Sequence, residues 1–241
     1  MRYVVITGAN RGLGEALVNQ FKDDHVIAIT RTTTENKNID KQYTCDLSNE
    51  GSVQHVVDEL KRDYKLDDSD EILLINNAGT VKPVSRSENT CIEGYMTSYK
   101  TNTLAPIILS TGFVDWLRNS KCKKKIVNIS SGAAINAVSG WSAYCSSKAA
   151  LNMFTDVMRL EQENEQYGVK VVTFRPGVID TDMQLEIRSS KKEDFEDLER
   201  FKAMKDNEQL LSADQVAGAL TNLIDSEDFG QVAHTTVQDY L

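Results

Sequence analysis

Seven short apolar runs recur along the chain with helix-patterned stretches between them, and this alternation limits the fold more than any other feature. The runs are Tyr3–Thr7, Val26–Thr30, Gln42–Cys45, Ile72–Asn76, Lys125–Ser130, Val169–Phe174 and Val232–Val237. Most are rich in Val and Ile, as strands covered on both faces are, and parallel sheets flanked by helices bury strands in that way. Helix patterns span Leu13–Lys22, Ser52–Asp63, Glu88–Trp116, Ala143–Glu165 and Ala213–Asp225, the last with Ser212 as N-cap. The alternation predicts an α/β fold, one doubly wound parallel sheet in a single domain. The 241 residues suit one such domain. One stretch breaks the pattern. Arg188 to Gln209 is heavily charged, yet Phe195, Leu198, Phe201 and Met204 recur within it at helical spacing. It reads either as a solvated surface helix or as a helical lid, at about residues 183–211, inserted between the sixth strand and the last helix.

Charge and cysteine usage exclude several functions. The net charge is −9, from 27 Lys plus Arg against 36 Asp plus Glu. Broad binding to a phosphate backbone needs a basic surface, so no nucleic-acid partner is expected. Cys45, Cys91, Cys122 and Cys145 form no CxxC pair, and with three histidines no metal site is expected. No run approaches the ~18 apolar residues of a membrane span. Tyr3–Ile6 is too short for a signal sequence and leads straight into a glycine turn. The expectation is a soluble cytoplasmic protein with free thiols, no membrane partner and a fold that starts at residue 2.

Thr7-Gly8-Ala9-Asn10-Arg11-Gly12-Leu13-Gly14 follows the first strand and opens a helix. Glycines there permit a tight turn and close backbone approach, and the helix N-terminus suits a pyrophosphate. A glycine turn of this spacing also serves plain packing. At the end of the second strand stands Arg31, where dinucleotide sites for NAD place an acidic residue. An arginine suits a ribose 2′-phosphate, and Arg11 is a second candidate for that phosphate. Both readings favour NADP(H), against the alternative that both are ordinary surface arginines. Asp46 is a candidate for the adenine amino group or a turn-forming Asp.

Tyr144-Cys145-Ser146-Ser147-Lys148 places a phenol and an ammonium four residues apart, on one helix face. A nearby ammonium is expected to lower the phenol pKa from ~10 by stabilising phenolate. Such a tyrosine passes a proton near neutral pH, as carbonyl reduction requires. Upstream lies Val127-Asn128-Ile129-Ser130-Ser131-Gly132, where a serine can hold a carbonyl oxygen. Asn76-Asn77-Ala78-Gly79 ends the fourth strand, and Asn102 lies in the long helix beyond it.

Taken together these motifs resemble the short-chain dehydrogenase/reductase family over essentially the whole chain. TGxxxGxG at 7–14, NNAG at 76–79, Asn102, Ser131 of NISS, YxxxK at 144–148 and PGxxxT from Pro176 to Thr181 occur in the family's order. The resemblance implies a Rossmann-type fold with a cofactor half at about 1–125 and a catalytic and substrate half at about 126–241. It implies Tyr144 as general acid and Lys148 as its partner and holder of the nicotinamide ribose. Ser131, by its spacing to Tyr144, would orient the carbonyl, and Asn102 would support a water leading to Lys148. The implied NADP(H) contacts are Gly8, Asn10, Arg11, Gly12, Leu13 and Gly14, then Arg31, Asp46 and Leu47. Asn77, Ala78, Gly79, Tyr144 and Lys148 follow, with Pro176, Gly177, Val178 and Thr181 toward the nicotinamide.

A closer resemblance is to the sepiapterin-reductase-like branch, and within it to reductases of aromatic 1,2-diketones such as benzil. It runs through Gly140-Trp141-Ser142-Ala143-Tyr144-Cys145 and Pro176–Gln184 into Ile187–Ser190 and Phe201. This implies reduction of one carbonyl of a diketone, giving (S)-benzoin from benzil. Thr236 stands where a pterin-anchoring Asp is expected, which sets a sepiapterin-type reductase, or another ketone reductase, as the alternative. A cofactor-sensing protein without catalysis is disfavoured by the presence of Ser131, Tyr144 and Lys148 together. Ser131, Ala133, Trp141, Tyr144 and Met183 are the candidate substrate contacts, with Trp141 a flat wall facing small residues. Trp141 reads equally as loop packing. The family resemblance also implies a homodimer or homotetramer.

Overall fold

The computed structural model describes residues 1–241 and turns the seven runs into seven strands. They are β1 (Arg2–Thr7), β2 (His25–Thr30), β3 (Lys41–Thr44), β4 (Glu71–Asn76), β5 (Lys123–Ile129), β6 (Lys170–Arg175) and β7 (His234–Thr236). The strands lie in the order β3-β2-β1-β4-β5-β6-β7, every neighbouring pair parallel. The helices are α1 (Gly12–Gln20), α2 (Glu50–Asp63), α3 (Ile92–Tyr99), α4 (Ala105–Leu117), α5 (Ser142–Gln162), α6 (Asp182–Arg188), α7 (Leu198–Asp206) and α8 (Ala213–Asp225). This is the single-domain, Rossmann-type doubly wound sheet that the alternation predicts.

The pleat explains why the strands read as continuous apolar runs. Successive side chains face opposite sides of the sheet. Val4, Ile6, Leu73, Ile75, Val127, Val172 and Phe174 meet Leu17 of α1 and Leu220 and Leu223 of α8. Val5, Ile72, Leu74, Ile126 and Val171 meet Val53 and Leu60 of α2, Leu109 and Phe113 of α4 and Met158 of α5. Both faces are therefore core. Truncating a side chain such as Leu74 to Ala removes packing on one face at a cost of roughly 2–5 kcal/mol. The α8 start is fixed as its sequence suggests: Ser212 Oγ accepts from Gln215 N at 3.1 Å and Gln215 Oε1 accepts from Ser212 N at 2.9 Å. Such a capping box is worth about 1 kcal/mol. No helix is long and apolar enough to cross a membrane.

The predicted helix Glu88–Trp116 is corrected. A 3₁₀ turn at Ser87–Asn89 comes first, α3 starts at Ile92, and a π turn at Lys100–Leu104 separates α3 from α4. The cause is partly covalent. Pro106 lies in the first turn of α4 and has no N–H, so the carbonyl four residues back, that of Asn102, has no α-helical donor. The Arg188–Gln209 stretch is also divided: α7 covers Leu198–Asp206, and Phe195 precedes it in irregular chain. With α6 these pieces form a helical segment between β6 and α8.

The chain reverses its direction of winding between β1 and β4. Ligands of open α/β sheets bind outside the carboxyl ends of the strands at such a point. Gly8, Asn77, Ser131 and Pro176 all follow strand ends on that side.

Candidate active site

The glycine turn leaves β1 with Gly8 at φ +67° and Gly12 at φ +55°, a region that side chains enter at a cost. A Cβ on Gly14 would stand 2.1 Å from the Gly8 carbonyl oxygen. The turn is therefore too tight for alanine there. Arg11 occupies the N-cap of α1 and gives no side-chain cap, so the first amides of α1 are open to an anion. This cradle of bare backbone and free N–H groups fits a pyrophosphate. Leu13 is buried beneath the turn in the core.

Asn77 braces the cradle. Its Nδ2 donates to the carbonyls of Thr7 at 2.9 Å and Gly8 at 3.3 Å. Thr7 Oγ1 in turn accepts from Asn77 N and Ala78 N at 2.9 and 3.0 Å. Asn10 Nδ2 reaches Thr32 Oγ1 at 3.4 Å and ties the turn to the loop after β2. That loop is organised by Gln42, which donates to Thr30 Oγ1 and Thr32 O and accepts from Thr34 N. Arg31 is exposed at the loop's start. Asp46 Oδ1 accepts from Ser48 N and Ser48 Oγ at 2.9 and 2.8 Å. These bonds, then the charge of Arg31, hold its carboxyl below the usual range. Asp46 is thus a turn-former beside Arg31, with Leu47 half-buried next to it. Arg11 does not join Arg31. Its Nη1 pairs with Asp182 Oδ2 at 2.9 Å, at the start of α6.

The catalytic candidates converge at the N-terminal part of α5. Tyr144 and Lys148 lie on one face, 8% and 4% exposed. Lys148 Nζ donates to Ile129 O at 2.8 Å. Gly79 lines the same space, since a Cβ there would be 3.5 Å from Lys148 Nζ and 3.2 Å from Asn102 Oδ1. The two serines of NISS are separated by their partners. Ser130 Oγ is buried and donates to Asn152 Oδ1 at 2.6 Å. Ser131 stands beside Tyr144, where its hydroxyl works against the rise in the phenol pKa. Its Oγ also accepts from Ala133 N at 3.1 Å.

Burial corrects the electrostatic expectation. The phenol of Tyr144 is pushed up, not down, because desolvation outweighs the hydrogen bond from Ser131. Burial also pushes the Lys148 ammonium down, to about 8. At neutral pH the pair is therefore a neutral phenol beside a lysine close to its own titration point. The side chain of Asn102 is committed within the protein. Its Oδ1 accepts from Thr80 N at 2.8 Å, and its Nδ2 donates to Thr80 O, Ser98 Oγ and Ser147 Oγ. The side chain is a brace, and Pro106 denies the main-chain carbonyl its α-helical donor.

On the substrate side, Trp141, Tyr144, Ala133, Val81, Ile187, Phe195, Leu198 and Phe201 form one buried apolar cluster, with Met183 and Val178 packed against it. Trp141 stacks on Phe195 with centroids 5.0 Å apart and meets Phe201 edge-on at 5.4 Å. The charged segment thus carries its aromatic stripe inward, over Tyr144. Val178 O accepts from Leu211 N and Asp180 N donates to Leu211 O, which holds the loop Pro176–Thr181 under the segment. Gly177 takes φ +72° in that loop. Thr181 Cγ2 would lie 3.3 Å from a Cβ on Gly12, so this loop and the glycine turn face each other closely.

Sequence reasoning missed Gln42 and Ser147. Ser147 is fully buried, donates to Tyr144 O and receives Asn102 Nδ2. Its position inside YxxxK was the available signal.

Comparison with known proteins matches residues 2–192 to the family described as short chain dehydrogenase. The chain is 42% identical over 241 residues to a benzil reductase ((S)-benzoin forming) of Bacillus cereus, covering 96% of this chain and 97% of that one. It is 40% identical over 229 residues to a protein of the same description from Bacillus subtilis, covering 93% and 94%. Among solved structures, a 4-hydroxyisoleucine dehydrogenase complexed with NADH superposes with a TM-score of 0.80 at 26% identity, covering 98% of this chain and 96% of that one.

Proposed function

The chain belongs to the short-chain dehydrogenase/reductase family, and on that premise we propose that it is an NADPH-dependent reductase that converts one carbonyl of an aromatic 1,2-diketone such as benzil to (S)-benzoin. The observation that carries the substrate is the likeness to benzil reductases along almost the whole chain, which includes the segment over Tyr144. The apolar, aromatic cluster around Tyr144 supports it, since flat aryl groups pack against such walls.

The cofactor is read from this chain's own cradle. Gly8, Asn10, Gly12, Gly14 and the open amides of α1 would hold the pyrophosphate, and Ala78 and Gly79 would line the floor. Arg31 supports a 2′-phosphate, with Arg11 available if it leaves Asp182. Val178 and Thr181 would lie toward the nicotinamide, and Lys148 toward its ribose. When bound, the nicotinamide supplies a hydride to the carbonyl carbon.

The residues supply the rest. Ser131 donates a hydrogen bond to the substrate oxygen and holds it beside Tyr144. Tyr144 gives its proton to that oxygen as the alcohol forms. Its raised pKa keeps it protonated at neutral pH, which suits the reducing direction. Lys148 returns a proton to Tyr144, and Asn102 supports a water that restores Lys148. The free thiols of Cys45, Cys91, Cys122 and Cys145 support a reducing cytoplasm. Exposed Met153, Val157 and Leu160 along α5 support a homodimer or homotetramer.

The test is consumption of NADPH with benzil against an NADH control, with the product resolved by chiral chromatography. (S)-benzoin formed with NADPH preferred is the expected result. Racemic product or no turnover would overturn the substrate, and equal use of both nucleotides would overturn the cofactor preference.

A further inference from the structure

The indole of Trp141 carries a polar atom that the fold leaves without a partner. Trp141 is 6% exposed, and its Nε1–H finds no acceptor in the protein. A buried donor without an acceptor is a cost that native structures seldom tolerate without a use. This one sits beside the reacting centre. The indole meets the phenol of Tyr144 edge-on, centroids 5.5 Å apart at 78°. Val81, Ala133, Phe195 and Phe201 around it offer side chains without an acceptor oxygen or nitrogen.

We propose that Trp141 Nε1–H binds the second, non-reacting oxygen of the substrate, and so makes the enzyme select 1,2-dicarbonyls over simple ketones. The inference rests on the diketone reading above and deepens it. Ser131 and Tyr144 take one oxygen. In a 1,2-diketone the other oxygen is carried on the adjacent carbon, and the adjacent aromatic side chain is Trp141. Indole nitrogen donates and never accepts, which is the complement of a carbonyl oxygen. Two other orphans lie in the segment: Gln184 Oε1 is an acceptor and has no such use, its Nε2 being spent on Phe201 O at 3.1 Å, and Arg188 Nε is a donor at the last residue of α6, whereas the indole meets the phenol of Tyr144 directly. Phe195 covers one face of the indole at 5.0 Å, whereas the N–H points from the ring's edge and is not engaged by that stack. Two anchored oxygens fix the diketone in one orientation, and one face of the reacting carbonyl is then presented.

The experiment pairs an enzyme change with a substrate change. Benzil and deoxybenzoin share both phenyl rings, and deoxybenzoin lacks the second oxygen. Trp141→Phe keeps an aromatic ring and removes the N–H. Its kcat/KM for benzil should fall about tenfold, the scale of one hydrogen bond, while that for deoxybenzoin changes less than about twofold. Should Phe loosen the stack, benzothienylalanine at position 141 keeps the indole's shape without its N–H and should give the same split. Equal losses on both substrates would make Trp141 a packing residue only, and no loss on either would remove it from the site; each overturns the proposal. A wild-type enzyme that reduces deoxybenzoin but no 1,2-dicarbonyl would overturn the diketone reading and this one with it.

Discussion

Lys148 donates its ammonium proton to the carbonyl of Ile129 at 2.8 Å, and both residues are closed to water. The bond anchors a cation at the end of β5, where burial pushes it down to about 8. The charged form is the one that can resupply Tyr144. Reduction should therefore hold below pH 8 and decline as pH rises through about 8, as Lys148 becomes neutral. A pH profile of kcat for reduction at saturating NADPH and substrate checks this. A rate constant to pH 10 would remove Lys148 from proton supply.

The same shift makes Lys148 a cost to the fold. Its folded pKa lies below the unfolded value near 10.5. Between the two the unfolded chain binds the extra proton, so stability rises with pH across that window. Lys148→Met should abolish turnover yet unfold no earlier than the wild type at pH 7. The difference in unfolding free energy should then shift toward the wild type by about 1.4 kcal/mol per pH unit from about 8 upward. Denaturant melts of both proteins at several pH values measure it.

Tyr144→Phe should fold and bind NADPH, since the ring stays in the aromatic cluster and only the hydroxyl leaves. Turnover should drop by ~10²–10⁴, the usual worth of a general acid. Retention of more than about a tenth of the rate would assign the acid elsewhere.

The parts of this protein legible in its sequence are those decided by near neighbours and by two-sided burial. All seven strands lie where the short runs placed them, and the five inner ones read as Val- and Ile-rich because both sheet faces are core. Ser212 announced α8 because its capping partner is three residues away. The Tyr144–Lys148 spacing put both on one face, but the direction of the phenol's shift depends on burial, which packing of distant segments decides. Arg11 reads as a phosphate ligand, but its pairing with Asp182, 171 residues on, was not visible. Asn102 shows the same limit. Pro106, whose missing N–H denies its carbonyl an α-helical donor, was in plain view, whereas the commitment of its side chain to Thr80 and Ser147 was not.

Arg31 and Arg11 should no longer weigh equally in the choice of nucleotide. Arg31 is exposed beside Asp46, whereas Arg11 must first give up Asp182. Arg31→Asp should raise the NADPH dissociation constant at least about tenfold, the worth of one charge-assisted contact, with NADH little changed. Arg11→Ala should have the smaller effect. Titration of both nucleotides by protein fluorescence decides the order, and a larger loss from Arg11 would reverse the assignment.

Gly140 tests whether the segment over Tyr144 works as a lid. It takes φ +85°, and a Cβ there would stand 2.3 Å from the carbonyl oxygen of Asp194, one residue before Phe195. Its own carbonyl accepts from Ser85 N at 3.0 Å, so the backbone has little freedom to retreat. Gly140→Ala pays roughly 1–2 kcal/mol for the left-handed conformation alone, and the clash must push Asp194 and Phe195 away from Trp141. The melting temperature should fall by about 2–4 °C per kcal/mol for a domain of this size. Cleavage by a protease within residues 189–197 should quicken, and KM for benzil should rise by more than kcat falls. Gly218→Ala is the control. It lies in α8 with nothing within 4 Å of an added Cβ, and should be neutral or stabilising by up to about 1 kcal/mol. If Gly140→Ala melted lower but kept wild-type KM and protease resistance, the contact would support the fold without governing access to Tyr144.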